Sequence, residues 1–471
     1  MIPATGFAKR TVAVFGLGKS GLSTVRALEA GGAKVVAWDD GEARRNEAVA
    51  AGVTLEDLTT RSWADIAAFV LSPGVPLTHP VPHPTVKLAQ AAGVEIIGDV
   101  ELFYRAVKAL APPGRIVAIT GTNGKSTTTA LIGHMVKRCG GDAQVGGNIG
   151  KPVLELDMPT SSTVYVVEVS SYQVDLTPGL TPDVGILLNV TPDHIDRHGT
   201  IENYAAVKAK LFAHQGAADT AIIGIDDAYS SDICTRLSSV RAQKVVPVSI
   251  GKTLGRGIYV IDGQLYDSTG TQTQKAGDFN SFRTLAGAHN WQNAAVAYAA
   301  GRALGYPREK ILAAFETFPG LAHRMEIVAE QNGVRYVNDS KATNADAASK
   351  ALATYDNIYW IIGGKSKDGG IETLTDYFPR LRRAYLIGAA SDEFARTLEG
   401  KVDYVRSHTL DRAVEAAAND ADKDGNEDEM RVVLLSPACA SFDQFNNFEE
   451  RGEVFRTQVL KYLSTKGRAS A

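Results

Sequence analysis

Apolar residues in this chain follow two alternating patterns. Longer stretches such as Thr127–Arg138 and Asn203–Phe212 carry apolar residues at helical spacing. Between such stretches lie short runs rich in β-branched residues, which predict buried strands: Thr11–Phe15, Lys34–Trp38, Phe69–Leu71, Ile116–Ile119, Val164–Val169, Val184–Val190, Ala221–Ile225, Lys244–Ile250, Val334–Val337, Ile358–Ile362, Ala384–Ile387 and Val432–Leu435. Strands that alternate with helices are typical of an α/β fold. Ile258–Tyr266, which turns at Asp262 and Gly263, predicts a hairpin instead.

Two stretches interrupt this alternation and predict linkers. A helical pattern gives way to Ala-Pro-Pro-Gly within Glu101–Pro113, and a Pro-Gly turn lies within Thr317–Leu321. A chain of 471 residues is also too long for one typical core. We therefore predict three α/β domains, at residues 1–108, 109–318 and 319–471.

The stretch Arg115–Thr129, RIVAITGTNGKSTTT, predicts a strand, a glycine loop and a helix. Such a loop binds phosphate because glycines let backbone N–H groups approach an anion, and the helix N-terminus adds positive partial charge. Lys125 would reach the outer phosphates, and the hydroxyl of Ser126 is placed to bind Mg²⁺. Ile119 stands where the general motif G-x-x-x-x-G-K-[ST] has its first glycine. An ordinary turn before a surface helix therefore remains an alternative.

The N-terminal segment contains a second glycine-rich loop. Gly16–Gly21 matches G-x-G-x-x-G in a strand-helix-strand unit, and the second strand ends at Asp39 and Asp40. This geometry suits NAD or any other nucleotide pyrophosphate. The rigid turn Ser72–Pro76 follows another strand and would lie at the same sheet edge, although a plain turn is the simpler interpretation.

Polar side chains at strand ends of the central segment indicate a metal site. Glu168 stands among valines, where a carboxylate is costly unless it is paired or bound to metal, and His194 follows the next strand. Together with Ser126 these residues suit one or two Mg²⁺ ions, but His194 then needs a charged companion ligand. An exposed strand face for Glu168 and a helix cap for His194 are the alternatives.

The last third of the chain has three further polar loops after predicted strands: Asn338–Asn344, Gly363–Gly370 and Ser436–Gly452. At one sheet edge these loops would form a pocket for a small anion. The three predicted domains together therefore suggest an enzyme that joins ATP, a nucleotide-tagged substrate and a small acid.

Composition narrows the class of protein. The chain has 49 Lys and Arg against 53 Asp and Glu, a net charge of −4, which gives no sign of a nucleic-acid or acidic-lipid partner. Cys139, Cys234 and Cys439 are odd in number and far apart, so neither a disulfide framework nor a structural zinc site is indicated. The N-terminus lacks a signal-peptide core and no run of about eighteen apolar residues occurs, so we expect a cytoplasmic protein with no membrane partner.

Motifs over nearly the whole chain resemble the cytoplasmic Mur ligases of peptidoglycan synthesis. The general family motifs are TGTNGKST at Thr120–Thr127, the strand-end Glu168, NVTPDHIDRH at Asn189–His198, HNWQN at His289–Asn293, HRME at His323–Glu326 and NDSKATN at Asn338–Asn344. The shortened phosphate loop fits this family. GGKSKD at Gly363–Asp368 and SPACASFDQFNNFEERG at Ser436–Gly452 resemble the D-glutamate-adding branch, and the D-N-P-R motif of diaminopimelate- or lysine-adding relatives is absent.

This resemblance implies a fold and a reaction. The fold would be a Rossmann-like N-terminal domain that binds UDP instead of NAD, a P-loop mononucleotide-binding central domain, and a C-terminal Rossmann domain similar to dihydrofolate reductase. ATP would phosphorylate the carboxylate of UDP-N-acetylmuramoyl-L-alanine, and the amine of D-glutamate would attack the acyl phosphate to give an amide, ADP and phosphate. The cofactors would be ATP and two Mg²⁺ ions, and the enzyme would act as a monomer.

The resemblance also assigns roles in catalysis. ATP would be bound by Gly121, Thr122, Asn123, Gly124, Lys125, Ser126, Thr127, Asn293, Arg324 and Asp339. Ser126 and Glu168 would hold one Mg²⁺, and His194 would hold the second together with Lys208, which is carbamylated in this family. A carbamate turns a lysine into a negatively charged oxygen ligand, which supplies the companion that His194 needs. Lys208 is preferred to Lys210 because it lies one helical turn beyond Tyr204, as in the family's Y-x-x-x-K pattern. The catalytic residues would be Lys125, His194, Lys208 and Lys341.

Two further sets of residues would bind the other substrates. The UDP substrate would contact Gly18, Lys19, Ser20, Asp39, Ser72, Pro73 and Gly74, with Asn148 and Ser170 near its muramoyl part. D-Glutamate would contact Thr343, Lys365, Ser441 and the backbone of Phe448. The chain departs from the family pattern after Asp39, where Asp40 and Gly41 replace a Thr-Arg pair, so the uracil contacts there stay open.

Three alternatives predict different behaviour. A folylpolyglutamate synthase would share the central loop but should lack the N-terminal G-x-G-x-x-G domain. An NAD-dependent dehydrogenase would explain Gly16–Gly21 and leave the central loop without a role. A non-enzymatic nucleotide switch would hydrolyse ATP slowly and independently of D-glutamate.

Overall fold

The computed structural model describes residues 1–240, 242–285, 287–366, 369–424 and 429–469. Its strands are β1 Thr11–Phe15, β2 Lys34–Trp38, β3 Ile66–Leu71, β4 Ile96–Ile97, β5 Arg115–Thr120, β6 Asp142–Gly147, β7 Thr163–Glu168, β8 Val184–Leu187, β9 Thr220–Gly224, β10 Lys244–Ile250, β11 Ile258–Ile261, β12 Gln264–Asp267, β13 Gln274–Asp278, β14 Glu326–Gln331, β15 Val334–Asn338, β16 Ile358–Gly363, β17 Leu381–Ile387, β18 Tyr404–His408 and β19 Arg431–Leu435.

The α-helices of the same residues are α1 Lys19–Ala30, α2 Glu42–Ala50, α3 Pro84–Ala91, α4 Asp99–Lys108, α5 Lys125–Arg138, α6 Ser171–Asp175, α7 Ile195–His198, α8 Ile201–Ala209, α9 Ala228–Val240, α10 Ala288–Ala303, α11 Arg308–Glu316, α12 Ala345–Thr354, α13 Ser391–Leu398, α14 Leu410–Lys423 and α15 Phe448–Ala469. Shorter 3₁₀ helices lie at Thr5–Phe7, Val153–Glu155, Lys210–Phe212, Phe279–Ser281, Arg283–Leu285 and Glu372–Arg380.

Within these ranges the strands form three sheets that follow one another along the chain, from β1–β4, β5–β13 and β14–β19. Their orders are β2-β1-β3-β4, β13-β12-β11-β10-β9-β8-β5-β7-β6 and β14-β15-β19-β16-β17-β18. The first sheet is parallel, the second is parallel except at β12 and β13, and the third has one antiparallel edge strand, β14. The expected α/β class is therefore confirmed.

Both faces of these sheets are buried, which explains the continuous apolar runs. In β1, Val12 and Val14 pack into one core cluster while Ala13 and Phe15 pack into another on the opposite face. Residues of β16 likewise alternate between two clusters of the third sheet. Helices cover each face, and the loops at the carboxyl ends of the strands are left to bind ligands.

The chain divides into two compact units. One contains residues 1–282 and 290–318, and the other contains residues 283–289 and 319–471. The first two sheets belong to the first unit and the third sheet belongs to the second unit.

Most predicted elements are confirmed with small shifts at their ends. The predicted strand Val184–Val190 stops at Leu187. Leu188 N still donates to Thr120 O of β5, whereas Val190 N donates to the Asp227 carboxylate. The helix predicted from Asn203 begins at Ile201, where Thr200 caps it, and its α-helical part ends at Ala209. In the described part of the chain, no helix is long and apolar enough to cross a membrane.

Candidate active site

The predicted phosphate loop connects β5 to α5. Gly121 and Gly124 have φ of 152° and 83°, values that side chains with a Cβ rarely adopt. A Cβ on Gly124 would lie 2.3 Å from Asn293 Oδ1, so the loop also has no room for one. Asn293, expected to bind ATP, is buried against this loop and accepts a hydrogen bond from Thr128 Oγ1 at 3.2 Å.

The residue that breaks the general loop motif is still part of the strand. Ile119 is fully buried, pairs with Glu168 in the neighbouring strand, and accepts a hydrogen bond from Val169 N at 2.8 Å. A glycine is not needed at Ile119 because the chain leaves the sheet one residue later. The helix begins at Lys125, two residues before the predicted start, so Lys125 and Ser126 lie in its first turn.

Two side chains shape the interior of the loop. Lys125 Nζ folds back to donate to Gly121 O and Thr122 O, both at 2.9 Å. Asn189 lies two residues after β8, the neighbour of β5 in the sheet. It accepts from Asn123 N at 2.9 Å and donates to Asn123 O at 3.2 Å. Asn189 opens the motif NVTPDHIDRH, but the sequence alone assigned it no role. The available signal was its position near the end of the predicted strand Val184–Val190.

Glu168 lies beside this loop as a buried carboxylate. It is 1% exposed, and its Oε1 accepts from Asn148 Nδ2 at 2.8 Å. Its Oε2 is buried and has no hydrogen-bond partner in the described structure. Because an unpartnered buried carboxylate oxygen is costly, the site fits a cation. Within the described ranges no cluster of three or more His, Cys, Asp or Glu side chains could hold a metal, so other oxygen donors such as Ser126 are needed.

Lys208 lies behind the loop and is 1% exposed. Its Nζ donates to Gly121 O at 3.0 Å and lies 4.4 Å from the centroid of the Tyr204 ring. Burial, followed by the nearby charge of Lys125, lowers the pKa of Lys208 well below its usual value. This shift favours the neutral amine, which is the nucleophilic form of a lysine.

His194 follows β8 in the left-handed region, with φ of 54°. Its ring lies 5.0 Å from that of Tyr172 and its Nε2 lies 3.5 Å from Asp193 Oδ2, and its side chain is 47% exposed. Strand β5 lies between β7 and β8 in the sheet. Glu168 is the last residue of β7, Ser126 follows β5, and His194 follows β8. These three strands are therefore neighbours, and the grouping of the three side chains around a metal stays a prediction.

The predicted UDP-binding loops meet at the first sheet. Their strands β2, β1 and β3 are neighbours, and Asp39 accepts from Leu17 N at 2.6 Å and from Gly41 N at 2.8 Å. Gly18 precedes α1, which contains Lys19 and Ser20 in its first turn. Ser72 and Pro73 line a small cavity together with Ser20, and Gly74 follows them in the same turn.

Asn148 and Ser170, expected near the muramoyl group, lie on either side of Glu168. Asn148 N donates to Glu168 O at 2.9 Å, in addition to the side-chain bond described above. Ser170 caps α6 in a capping box with Gln173: the Gln173 N–H donates to Ser170 Oγ and Ser170 N donates to Gln173 Oε1.

The predicted amino-acid loops meet at the third sheet, after the adjacent strands β15, β19 and β16. Lys365 and Ala440 exchange two backbone hydrogen bonds at 2.9 and 3.1 Å, which places Lys365 beside Ser441. Phe448 O accepts from Ser340 Oγ at 2.8 Å, and Lys341 Nζ lies 3.8 Å from the centroid of the Phe448 ring. Thr343 follows on the same loop as Lys341, whose carbonyl accepts from Thr343 N at 2.8 Å. Lys367 and Asp368 of the GGKSKD motif lie outside the described residues.

Asp339 is buried at the base of these loops. Its carboxylate accepts from Ser436 Oγ at 2.9 Å and from Met325 N at 3.2 Å. Burial raises the pKa of Asp339 to about 7, and Arg324, which precedes Met325, partly offsets this shift through its charge. Asp339 is thus anchored within its own unit by both carboxylate oxygens.

Comparisons with known proteins agree along the whole chain. Three family models match: a Mur ligase MurD-like N-terminal domain at residues 10–98, a Mur ligase middle domain at 119–301, and a Mur ligase glutamate ligase domain at 323–439. A UDP-N-acetylmuramoylalanine–D-glutamate ligase of Caulobacter sp. strain K31 is 55% identical over 98% of both chains, and the protein of that name from Caulobacter vibrioides NA1000 is 54% identical over 100% of both.

Solved structures share the fold at low identity. A UDP-N-acetylmuramate-alanine ligase, MurC, from Thermotoga maritima has a TM-score of 0.56 at 16% identity, over 97% of this chain and 99% of that one. A pseudomurein peptide ligase type C from Methanothermus fervidus has a TM-score of 0.53 at 16% identity, over 96% and 100% of the two chains.

Proposed function

This chain belongs to the Mur ligase family, and on that premise we propose that it joins D-glutamate to UDP-N-acetylmuramoyl-L-alanine with ATP. The relatives that are 54–55% identical over almost the full chain are named for this ligation. The observation that supports the chemistry is the phosphate loop. The buried Glu168 carboxylate, with one oxygen that has no partner in the described structure, lies beside it, and the buried Lys208, whose pKa is lowered, lies behind it. We further propose that the enzyme acts in the cytoplasm as a monomer.

The phosphate loop would bind ATP. Its backbone N–H groups and Lys125 face the same end of α5, where the helix dipole favours negative charge. Asn189 and Asn293 hold the loop in this shape before ATP binds, because both side chains contact it directly. By the resemblance to the family, Arg324 and Asp339 would also bind ATP.

Mg²⁺ would be held by Ser126 and Glu168, and a second ion by His194 and a carbamylated Lys208. These ions would neutralise the phosphate charge that builds up during transfer. The Glu168 oxygen without a partner in the described structure suits a cation. The lowered pKa of Lys208 favours carbamylation, because an amine must be unprotonated to attack CO₂. The carbamate adds two oxygen atoms and a negative charge at a position where the free lysine has none.

The reaction itself needs positioning more than covalent chemistry from the protein. ATP phosphorylates the acceptor carboxylate, the D-glutamate amine attacks the acyl phosphate, and phosphate leaves to give the amide. Lys125 and Lys341 would stabilise the charge on the transferred group. Orientation of the two reactants within the site supplies much of the remaining rate enhancement.

The remaining loops would select the two other substrates. The acceptor's UDP would lie at Gly18, Lys19, Ser20, Asp39 and the turn Ser72–Gly74, and its muramoyl end at Asn148 and Ser170. D-Glutamate carboxylates would contact Thr343 and Lys365 at one end, and Ser441 and the N–H of Phe448 at the other. The carbonyl of Phe448 is occupied by Ser340, which fixes this part of the loop.

An amino-acid screen tests the proposal. ADP release is measured by a coupled assay with D-Glu, L-Glu, L-Ala, L-Lys and diaminopimelate, each on UDP-N-acetylmuramic acid and on UDP-N-acetylmuramoyl-L-alanine. We expect turnover only with D-Glu on the alanyl acceptor, with a product heavier by one glutamyl residue in mass spectrometry. ADP release without amide formation would reject the ligase and favour a nucleotide switch.

A further inference from the structure

Arg197 is a cation near the proposed metal site that the proposed chemistry leaves without a role. It belongs to the short helix α7, whose N-cap residue is the proposed metal ligand His194. Its Nη1 donates to Gly74 O at 3.0 Å. Gly74 is the last residue of the turn Ser72–Gly74, which would bind UDP. One hydrogen bond of Arg197 therefore joins the segment after β8 to the turn after β3.

The guanidinium of Arg197 is held by an aromatic stack. Its Cζ lies 4.6 Å from the centroid of the Tyr172 ring, which is within the range of a cation–π interaction. The Tyr172 ring stacks with that of His198, with centroids 5.4 Å apart and planes 16° apart. His198 is 5% exposed, and its Nε2 forms a hydrogen bond with Ser171 Oγ at 2.9 Å. The buried His198 thus fixes the Tyr172 ring, and this ring orients Arg197.

The ring of Tyr172 also adjoins groups that the acceptor and the metal would use. Tyr172 lies in the first turn of α6, which is capped by Ser170, the residue proposed near the muramoyl group. Its ring centroid lies 5.0 Å from that of His194. Tyr172 and Arg197 line one small cavity together with Pro73 of the UDP turn. The proposed UDP, muramoyl and metal groups therefore all border the contact between Arg197 and Tyr172.

Further contacts make the connection stiff. The UDP turn is closed on itself, because Val75 N donates to Ser72 O at 3.0 Å, so the bond to Gly74 holds the turn as a unit. Gly199, directly after α7, has φ of 79°, and a Cβ there would lie 3.0 Å from His79 Nε2. The segment after β3 and the segment after β8 thus contact each other at two separate points.

We propose that Arg197 is a positioning residue for the acceptor: it holds the UDP-binding turn at a fixed distance from the segment that carries His194. The two ends of the acceptor would then be held in register, with UDP at the turn and the carboxylate to be phosphorylated near the metal. A small misplacement of a reacting group is costly in rate, so this distance affects turnover as well as binding. The inference rests on the proposed function, because both segments have these roles only for a UDP-linked acceptor. Arg197 itself contacts neither ATP nor the reacting atoms in this scheme.

Variants of Arg197 and of the ring beneath it provide the test. Arg197→Ala removes both the bond to Gly74 and the contact with Tyr172. Tyr172→Leu removes the aromatic ring but not the arginine, whereas Tyr172→Phe keeps the ring. The matched control is Arg10→Ala, which removes another guanidinium, 5.2 Å from the centroid of the Phe7 ring.

Kd for UDP-N-acetylmuramoyl-L-alanine and for UDP alone is measured by calorimetry without ATP or D-glutamate, and kcat and KM are measured for the ligation. We expect Arg197→Ala to weaken binding of the full acceptor about tenfold, the effect of one hydrogen bond and one cation–π contact. It should also lower kcat about tenfold, with Kd for UDP and KM for ATP within about twofold of wild type.

The ring variants separate the two contacts of the guanidinium. Tyr172→Leu should weaken acceptor binding about fivefold, and Tyr172→Phe should stay within about twofold of wild type. The double variant Arg197→Ala with Tyr172→Leu should lose less than the product of the two single losses, because both residues act through one contact. Arg10→Ala should leave the acceptor Kd within about twofold.

Four outcomes overturn the inference: an unchanged acceptor Kd in folded Arg197→Ala, a loss of UDP binding as large as the loss of acceptor binding, an equal loss in Arg10→Ala, or fully additive losses in the double variant. Melting curves identify a variant that fails to fold. Should Arg197→Ala not fold, equal acceptor Kd in Tyr172→Leu and Tyr172→Phe overturns the inference. Failure of the proposed function has a separate signature, because the wild-type protein would then form no amide from the acceptor.

Discussion

Burial sets the chemistry of individual side chains around the phosphate loop. Burial lowers the pKa of Lys208 because its surroundings solvate a charge poorly. Asn148 bonds to one oxygen of Glu168, and the other oxygen has no hydrogen-bond partner among the residues that the structure describes. Neither property is visible in the residue type. Each follows from the strands and helices that enclose the side chain, and each defines a prediction.

Replacement of Lys208 by alanine should reduce turnover by about a hundredfold, because the second cation would lose its charged ligand. Short carboxylic acids such as formate or acetate should restore part of the activity by standing in for the carbamate. The control is Lys210→Ala, which removes a lysine that is 53% exposed and paired with Asp175 at 2.7 Å, and should leave activity within about twofold. Full activity of Lys208→Ala would refute the assigned role.

Glu168→Gln should raise the Mg²⁺ concentration for half-maximal activity about tenfold, since the amide keeps the bond to Asn148 but offers the cation a weaker ligand. The measurement is a Mg²⁺ titration at saturating substrates. Glu101→Gln, the same change at another buried glutamate, should leave the titration unchanged. Identical titrations for Glu168→Gln and wild type would place the cation elsewhere.

Asp339→Asn should stabilise the protein at alkaline more than at acidic pH. Burial raises the pKa of Asp339 from 3.8 to about 7, so between these values the folded protein holds a proton that the unfolded chain has released. Wild-type stability therefore falls as pH rises through this window, by at most about 1.4 kcal/mol per pH unit, and asparagine removes this loss. Melting temperatures of both proteins from pH 5 to 8 should diverge, and a constant difference would contradict the raised pKa.

At the scale of elements, residues that can adopt positive φ determine where the chain turns. Asp262 and Gly263 have φ of 49° and 76°, the positive values that a two-residue hairpin turn requires, and the predicted hairpin forms between β11 and β12. The loop between β5 and α5 forms for the same reason, since Gly121 and Gly124 take positive φ where the chain turns into the helix. Glycine positions thus identify both turns from the sequence.

Gly124→Ala should reduce ATP-dependent turnover by at least about a hundredfold, because the new Cβ would displace Asn293 and shift the loop. Gly140→Ala is the matched control at the other end of α5: its φ is 91°, but no atom lies within 4 Å of a Cβ there. The control should cost about 1–2 kcal/mol of stability from its backbone conformation and retain activity. Equal loss in both variants would mean that strain, and not the contact with Asn293, governs the loop.

At the scale of the whole molecule, the predicted site residues belong to both compact units. Lys125, Glu168 and Lys208 lie in the first unit, whereas Lys341 and Lys365 lie in the second. In each unit, polar loops follow the parallel strands. Each unit therefore contains some of the side chains that the proposed ligation needs. This division explains why each isolated motif has several possible functions while the combination indicates one reaction.

The protein should be a monomer in solution. Large apolar side chains that are exposed in the described structure are few and lie on separate segments: Met1, Val49, Leu88, Val81, Met158, Val240, Met430, Phe442 and Leu460. Single exposed apolar residues of this kind do not form a stable interface. Light scattering should give 50.1 kDa, unchanged over about a tenfold range of protein concentration. A mass twice as large would contradict this prediction.

The sequence by itself determined the elements and the loops that carry chemistry, because apolar periodicity and glycine positions act over a few residues. It correctly predicted the α/β class and, to within one residue, the ends of the strands that finish at Thr120 and Glu168. Only the tertiary structure decided which loops meet, since strand order joins residues far apart in the chain. The two hydrogen bonds between Asn189 and Asn123 depend on that order, which no local pattern encodes.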